Sequence, residues 1–178
     1  WLRIDRSAHI LVDDILMEDS EFGRPFIINE SEQIRVQNSD IRRQGYGAAG
    51  GNAVLVQHSE RVIFEGNAFS RAAHDLVLVY PDRTNRYIVF RGNVFHPVWT
   101  RGVLLDSVGH VLFEGNIITS SYDGARNADS RYAFYTTNGI FRYNRVFGNW
   151  GTKGLEVSPY RDTLDFRHVR LYHNAFFV

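Results

Sequence analysis

The stretch Val62-Ile-Phe-Glu-Gly-Asn-Ala-Phe69 is repeated about 26 residues later as Ile88-Val-Phe-Arg-Gly-Asn-Val-Phe95, and the two copies align without a gap. Further copies begin at Ile10, Ile34, Val111, Gly139 and Val169, the first two being weaker. A fixed period that runs along a whole chain indicates a repeat architecture, in which each unit buries its apolar face against the next. The repeated stretch therefore decides the fold.

Each copy alternates apolar and polar residues, which is the pattern of a β-strand. A second short apolar strand precedes most copies, and examples are Phe26–Ile28, Val54–Val56, Val77–Val79, Val103–Leu105 and Leu155–Val157. No segment has a helical period, which excludes the helical repeats, and the period is too short for a β-propeller blade. We predict an all-β fold over residues 1–178, a single-stranded right-handed parallel β-helix of about seven coils.

One position of the repeat predicts a ladder of side-chain amides. Aligned through all copies, this column reads Ile15, Ser39, Asn67, Asn93, Asn116, Asn144 and Asn174. Stacked inward amides can bond to one another from coil to coil and satisfy buried polar groups. The preceding residue is glycine in three coils, as a corner with positive φ would favour. Tyr143 and His173 replace that glycine, so we expect the last two corners to differ.

A second column, two positions before the first, predicts ion pairs on the outer surface. It reads Gln37, Glu65, Arg91, Glu114, Arg142 and Tyr172. Neighbouring parallel strands lie about 4.8 Å apart, so the four charges would alternate in sign along the stack. This alternation supports the same register as the apolar pattern.

Composition narrows the class of protein. The chain is 44% hydrophobic with a formal net charge of zero, which favours a globular domain and argues against a nucleic-acid partner. It has no cysteine, so disulfides and thiolate metal sites are excluded, and no apolar run suits a membrane span. Neither terminus reads as the polar cap that a solenoid needs. We therefore expect a fragment of a longer protein.

The Val-x-Phe-x-Gly-Asn-x-Phe repeat resembles the pectate-lyase-like superfamily of right-handed β-helices over essentially the whole chain. The resemblance implies a secreted or periplasmic, carbohydrate-active protein whose partner is a polysaccharide or oligosaccharide. It favours an enzyme, a polysaccharide lyase or a glycoside hydrolase. The alternative is a noncatalytic carbohydrate-binding, adhesin or tailspike-like module. The Asn-Thr-Asp, Trp-x-Asp-His and Asp-Pro-His motifs of three enzyme families in this group are absent.

The resemblance also implies a substrate groove along the outer face of the first strand of each coil. The positions that begin this strand include Arg101, Arg131 and Lys153, a cationic row suited to uronate or sulfate groups. Lys153, the only lysine, is the candidate general base, because neighbouring arginines would lower its pKa. Asp106 and Glu156 form a candidate acid pair about 9–10 Å apart, judged by strand spacing.

We therefore assign catalytic roles to Lys153, Glu156, Asp106 and Arg131. We assign substrate binding to Arg101 and to four loop aromatics on which sugar rings could stack: Trp99, Tyr122, Trp150 and Tyr160. Surface salt bridges and packing under loops are the alternative roles for these residues. We predict no metal site, because the seven histidines lack metal-ligand spacing, and no cofactor. A structural Ca²⁺ ion could bind among loop oxygens, although no calcium motif is present.

Outward positions of the first strand are apolar in four coils: Ile27, Leu55, Leu78 and Leu104. An exposed apolar stripe of this length usually marks a covered surface. We expect another domain, a long loop or a partner subunit to lie on it.

Overall fold

A computed structural model describes residues 1–20, 26–44, 51–72, 75–80, 84–96, 101–119, 131–147, 155–157 and 168–177. These residues form twenty strands, β1–β20 in chain order, all paired in parallel and arranged in three sheets. No helix occurs among the residues described. The predicted all-β parallel β-helix is therefore confirmed.

The chain visits the three sheets in turn, one strand per sheet in each coil. The first sheet contains β1 (Leu2–Asp5), β4 (Phe26–Asn29), β7 (Val54–Gln57), β10 (Asp75–Val79), β13 (Arg101–Glu114), β15 (Arg131–Thr136) and β18 (Leu155–Val157). The second contains β2 (Ala8–Asp13), β5 (Glu32–Gln37), β8 (Glu60–Glu65), β11 (Arg86–Arg91), the second half of β13, β16 (Gly139–Arg142) and β19 (Val169–Tyr172).

The third sheet has seven strands among the described residues: β3 (Leu16–Ser20), β6 (Asp40–Gln44), β9 (Ala68–Ala72), β12 (Val94–His96), β14 (Ile117–Thr119), β17 (Arg145–Phe147) and β20 (Ala175–Phe177). A short turn joins the first sheet to the second, and β13 passes through this turn as one strand. The corner from the second sheet to the third is the repeated Gly-Asn position.

The core is a stack of like residues along the axis of the solenoid. Phe64, Phe90, Phe113 and Phe141 occupy the same inward position of the second sheet in successive coils and are almost completely buried. The rings of Phe64 and Phe90 are stacked with centroids 5.1 Å apart. On the third sheet Phe69 stacks on Phe95 at 5.2 Å. Along β8, β11 and β16, alternation therefore buries one residue in two in the middle of each strand, and the repeat aligns these residues between coils.

The predicted amide ladder is confirmed from Asn67 to Asn174. In each rung the side-chain and backbone N–H groups of one asparagine donate to Oδ1 of the next, at 2.9–3.1 Å. The same Nδ2 group also donates to a backbone carbonyl of the preceding coil, as Asn93 does to Phe64 at 2.9 Å. The ladder therefore satisfies polar groups of the corner that water cannot reach.

The last two corners have the same backbone conformation as the others, so the expectation that they differ is wrong. Tyr143 has φ 57° and His173 has φ 54°, close to the 61° of Gly92. Their rings stack on each other with centroids 5.3 Å apart, on the outside of the corner. The corner requires a left-handed residue but leaves room for its side chain, so glycine is favoured there without being necessary.

Replacing Gly92 by alanine is expected to lower the free energy of unfolding by about 1 kcal/mol, because a left-handed backbone costs roughly that much for a residue with a Cβ atom. The effect should be conformational strain alone, since no heavy atom lies within 4 Å of the added Cβ. Urea unfolding of both proteins measures it. Gly92→Asn is the control and should cost less, because asparagine tolerates this conformation. A larger loss for asparagine than for alanine would contradict the argument.

A second ladder lies at the first turn, and sequence analysis did not identify it. The backbone N–H groups of Ser7 and Ser31 donate to the hydroxyl oxygens of Ser31 and Ser59, both at 3.1 Å, and the N–H of Ser59 donates to Oδ1 of Asn85 at 2.9 Å. Each of these serine hydroxyls donates in turn to a backbone carbonyl two residues earlier. Two polar ladders therefore fix the register of neighbouring coils.

The predicted charge column is also confirmed. Arg91 lies between Glu65, at 3.5 Å, and Glu114, at 3.2 Å. Arg142 continues the row, pairing with Glu114 at 2.6 Å. Its guanidinium also donates a hydrogen bond to the hydroxyl oxygen of Tyr172 at 3.1 Å. These side chains lie on the outer surface of the second sheet, where we call Glu65, Arg91, Glu114 and Arg142 the charge ladder.

Candidate functional site

The first sheet is where the predicted groove lies, and its register places several of the predicted residues on neighbouring strands. Arg101 is the direct Cα partner of Asp75 on one side and of Arg131 on the other. The predicted alignment of Arg101 with Arg131 is therefore correct. Asp75 and Asn52, one coil further back, are buried in the same column, and the backbone N–H of Asp75 donates to Oδ1 of Asn52 at 3.2 Å. At those two coils the column belongs to the interior.

The positions of Asp106 and Glu156 are further apart than predicted. Glu156 pairs with Ala133, which pairs with Leu104, whereas Asp106 lies two residues beyond Leu104 along β13. The Cα atoms of Asp106 and Glu156 are therefore separated by two strand spacings across the sheet and by two residues along the strand, which together give about 12 Å. The predicted 9–10 Å is wrong because it counted the strand spacing alone. Inverting glycosidases separate their carboxyl groups by about 6.5–9.5 Å, so side chains would have to converge from these positions.

The remaining predicted site residues lie outside the described part of the chain. They are Lys153, Trp99, Tyr122, Trp150 and Tyr160. Their assigned roles stay predictions. For Asp106, Arg131, Arg101 and Glu156 the structure gives the strand and the register, as above.

The apolar stripe on the first sheet is in register, as Ile27 pairs with Leu55, Leu55 with Leu78, and Leu78 with Leu104. It is not an exposed stripe throughout. Leu55 is only 1% exposed within the single chain, and Ile27 and Leu78 are partly buried. The assumption that Leu55 faces solvent is wrong, because the chain itself covers this side chain. A partner on this surface stays a prediction.

The described residues form an open polar depression of about 310 Å³ beside the first turn. Its lining is Glu30, Ser31, Glu32, His58, Ser59, Glu60 and Thr84. The carboxylates and the imidazole at first suggest acid–base chemistry, and sequence analysis did not single out this cluster. The only signal available was the recurrence of Glu and His next to the serine of the turn.

The contacts of this depression are those of a structural network. Glu30 accepts a hydrogen bond from Arg6 at 2.8 Å, Glu60 is paired with Arg86, and Arg61 lies 3.1 Å from Glu60. The hydroxyls of Ser31 and Ser59 already belong to the turn ladder, so neither is free to act as a nucleophile. The hydrogen bond from Arg6 lowers the pKa of Glu30, which is the opposite of what a general acid needs.

Acid should weaken this network. The pKa of Glu30 is lowered by Arg6, so the folded state binds its proton less readily than the unfolded chain, where the ordinary value is 4.5. Its contribution to stability is present above that value and is lost as the pH falls through the folded pKa. We expect Glu30→Gln to lower the melting temperature more at pH 7 than at about pH 3.

The control for this prediction is the same substitution in an Arg6→Gln background. Without the guanidinium that lowers the pKa, Glu30→Gln should change the melting temperature equally at both pH values. An equal change in the protein that retains Arg6 would show that the ion pair does not contribute.

The described residues contain no group of three or more histidine or acidic side chains placed to hold a metal ion. No helix in the described ranges is long and apolar enough to cross a membrane.

Comparison with known proteins identifies the repeat. The family profile described as "Right handed beta helix region" matches residues 24–159, well over half of the chain. No curated protein and no solved structure shows significant similarity. The profile agrees with the three parallel sheets and with the continuous polar ladder at their corner. The chain therefore belongs to the right-handed β-helix family.

Proposed function

We propose that this protein binds a polysaccharide at the first sheet, where β13, β15 and β18 begin, and degrades it by lyase or hydrolase chemistry. The observation that carries the proposal is the register of these three strands. It brings Arg101 and Arg131 to directly paired positions where β13 and β15 begin, with Asp106 further along β13 and Glu156 on β18. The β-helix fold is consistent with a carbohydrate-active protein or a structural one.

The paired arginines support an acidic substrate. Parallel strands hold the two Cα positions about 4.8 Å apart, a distance at which two cations destabilise each other unless an anion is shared. A uronate carboxylate or a sulfate can accept hydrogen bonds from both guanidinium groups. Lys153 as base, or Asp106 with Glu156 as acid and base, would supply the chemistry. We further propose that the protein acts outside the cytoplasm, where such polymers occur.

A noncatalytic carbohydrate-binding, adhesin or tailspike-like module is the second candidate, and the depression at the first turn favours it. There, the carboxylates are neutralised by arginines and the serine hydroxyls are engaged by the backbone. A surface built in this way presents fixed hydrogen-bond donors and acceptors to a ligand.

Calorimetric titration with polygalacturonate, alginate and a neutral glucan tests for binding, and two assays then separate the chemistries. Absorbance in the short-wavelength ultraviolet detects the unsaturated uronate that β-elimination forms, and release of reducing ends without that absorbance indicates hydrolysis. We expect Arg101→Ala with Arg131→Ala to weaken binding of the acidic polymer at least tenfold. Arg145→Ala, an exposed arginine of the third sheet, is the matched control. Binding without turnover would favour the second candidate, and absence of both would refute both.

A further inference from the structure

The outer face of the second sheet carries an apolar stripe that sequence analysis did not identify. Its members occupy one outward position in four successive coils: Ile63, Val89, Leu112 and Ile140. Each is partly exposed, whereas the residues before and after each of them along its strand point inward and are buried. Arg35 and Arg170 occupy the same position one coil beyond each end. We call these four apolar residues the second-sheet stripe.

The charge ladder borders this stripe along its whole length, two residues further along each strand. Its signs run negative, positive, negative, positive from Glu65 to Arg142. The exposed fractions of these side chains are 33%, 47%, 20% and 34%, so all four are accessible to a partner as well as to one another. A flat apolar strip with a row of charges beside it has the composition of an interface core and its rim.

The order of the charges fits a second copy of this chain. An alternating row with an even number of members becomes its own complement when it is reversed. If a second copy lies face to face with its solenoid axis antiparallel to that of the first, Glu65 of one chain meets Arg142 of the other, and Arg91 meets Glu114. The same twofold axis sets Ile63 on Ile140 and Val89 on Leu112. Both copies have the same strand spacing, so the match holds at each of these four rungs.

The parallel arrangement of two copies fits less well. It would place the charge ladder of one chain over the residues on the opposite border of the stripe, which are Arg61, Tyr87, His110 and Asn138. Only Glu65 over Arg61 would then join two full opposite charges. In the antiparallel arrangement all four rungs do so. Arg35 of each chain meets Arg170 of the other at the ends of the contact, where their long side chains can turn outward to solvent and keep the two charges apart.

We propose that the second-sheet stripe and the charge ladder form a homodimer interface, in which two copies of this chain pack antiparallel with their second sheets about 10 Å apart. Counted over the six coils from Arg35 to Arg170, the face measures about 30 Å by 17 Å, which is on the order of 500 Å² per partner. This area lies at the low end for specific complexes, so we expect a reversible dimer with a dissociation constant on the order of 10–100 μM. The first sheet stays open in this dimer.

Sedimentation equilibrium of the full chain over a wide concentration range tests the proposal. A dimer fraction that rises with concentration is expected, and Leu112→Glu should weaken it at least tenfold by setting a carboxylate in the centre of the stripe. Leu16→Glu is the matched control, because Leu16 lies at an outward position of the third sheet and is 59% exposed. Circular dichroism and the melting temperature check that both variants fold. A monomer at every concentration, or equal weakening by both substitutions, would overturn the proposal.

A charge-reversed variant tests the antiparallel match without altering the stripe. Glu65→Arg, Arg91→Glu, Glu114→Arg and Arg142→Glu together preserve alternation within the chain and complementarity between two reversed copies. In a mixed dimer, however, they would set like charges of the variant and wild-type chains against each other at all four rungs. We expect each protein to form homodimers and an affinity-tagged mixture to contain at least tenfold fewer mixed dimers than chance. Mixed dimers at the chance level would overturn the proposal.

Cross-linking checks the orientation, since the chain contains no cysteine of its own. A short bismaleimide should join Ile63→Cys to Ile140→Cys when the two variants are mixed. Efficient cross-linking of Ile63→Cys to itself would show the parallel arrangement and overturn the antiparallel one.

Discussion

Replacing Asn93 by alanine is expected to lower the free energy of unfolding by about 3–5 kcal/mol, because two buried backbone groups lose their partners at once. Oδ1 of Asn93 accepts from the backbone N–H and from Nδ2 of Asn67, at 2.9 and 3.1 Å. Nδ2 of Asn93 donates to the carbonyl of Phe64 and to Oδ1 of Asn116. Alanine removes all four bonds in a place that water does not reach, since Asn93 is 0% exposed.

Urea unfolding followed by circular dichroism measures this loss, and Gln37→Ala is the control. Gln37 lies on the outer surface of the second sheet, so its truncation should change stability by less than about 0.5 kcal/mol. Hydrogen exchange should show the loss at the N–H of Asn67 first, since each coil contacts only its neighbours. Equal effects of the two substitutions would mean that the ladder does not stabilise the stack.

Replacing Phe90 by alanine is expected to cost about 3–5 kcal/mol, because a buried aromatic ring leaves a cavity that its neighbours cannot fill. The ring lies 5.1 Å from Phe64 and 5.6 Å from Phe113, and it meets the edge of Phe95 at 6.1 Å. Coils above and below are fixed by the two polar ladders, which prevents them from moving closer. The melting temperature and the urea midpoint both report the loss.

Phe147→Ala is the matched control for this prediction. Phe147 also stacks on a phenylalanine of the next coil, Phe177, with centroids 4.6 Å apart, but it is 37% exposed. Its truncation should cost less than half as much as that of Phe90, because most of the cavity opens to water. Similar losses would show that ring stacking, and not burial, determines the stability of these columns.

The fold could be predicted in detail because its contacts repeat. In a solenoid each residue meets its counterpart in the next coil, so a column read from aligned copies is a list of spatial neighbours. The asparagine ladder and the alternating charges were recognised in this way. The turn ladder of Ser7, Ser31, Ser59 and Asn85 was missed because serine and asparagine are common in any turn. Tyr143 and His173 were misread because glycine was taken as a requirement of the corner.

The candidate site was much less predictable, since it depends on features that do not repeat. The register of Arg101 and Arg131 followed from the strand pattern. The offset between Asp106 and Glu156 was overlooked because only the strand spacing was counted, although Asp106 lies two residues beyond Leu104, the position aligned with Glu156. Whether Leu55 is exposed likewise depends on the rest of the chain and not on alternation alone.

The sequence by itself determined that this protein is a parallel β-helix, which residues face its core and which polar side chains link its coils, because these properties follow from the period and from strand alternation. Only the tertiary structure decided which outward positions are accessible. It showed Leu55 covered and the second-sheet stripe open beside the charge ladder. The reason is physical: an inward residue meets its own repeat, whereas the surroundings of an outward residue are set by segments that differ from coil to coil.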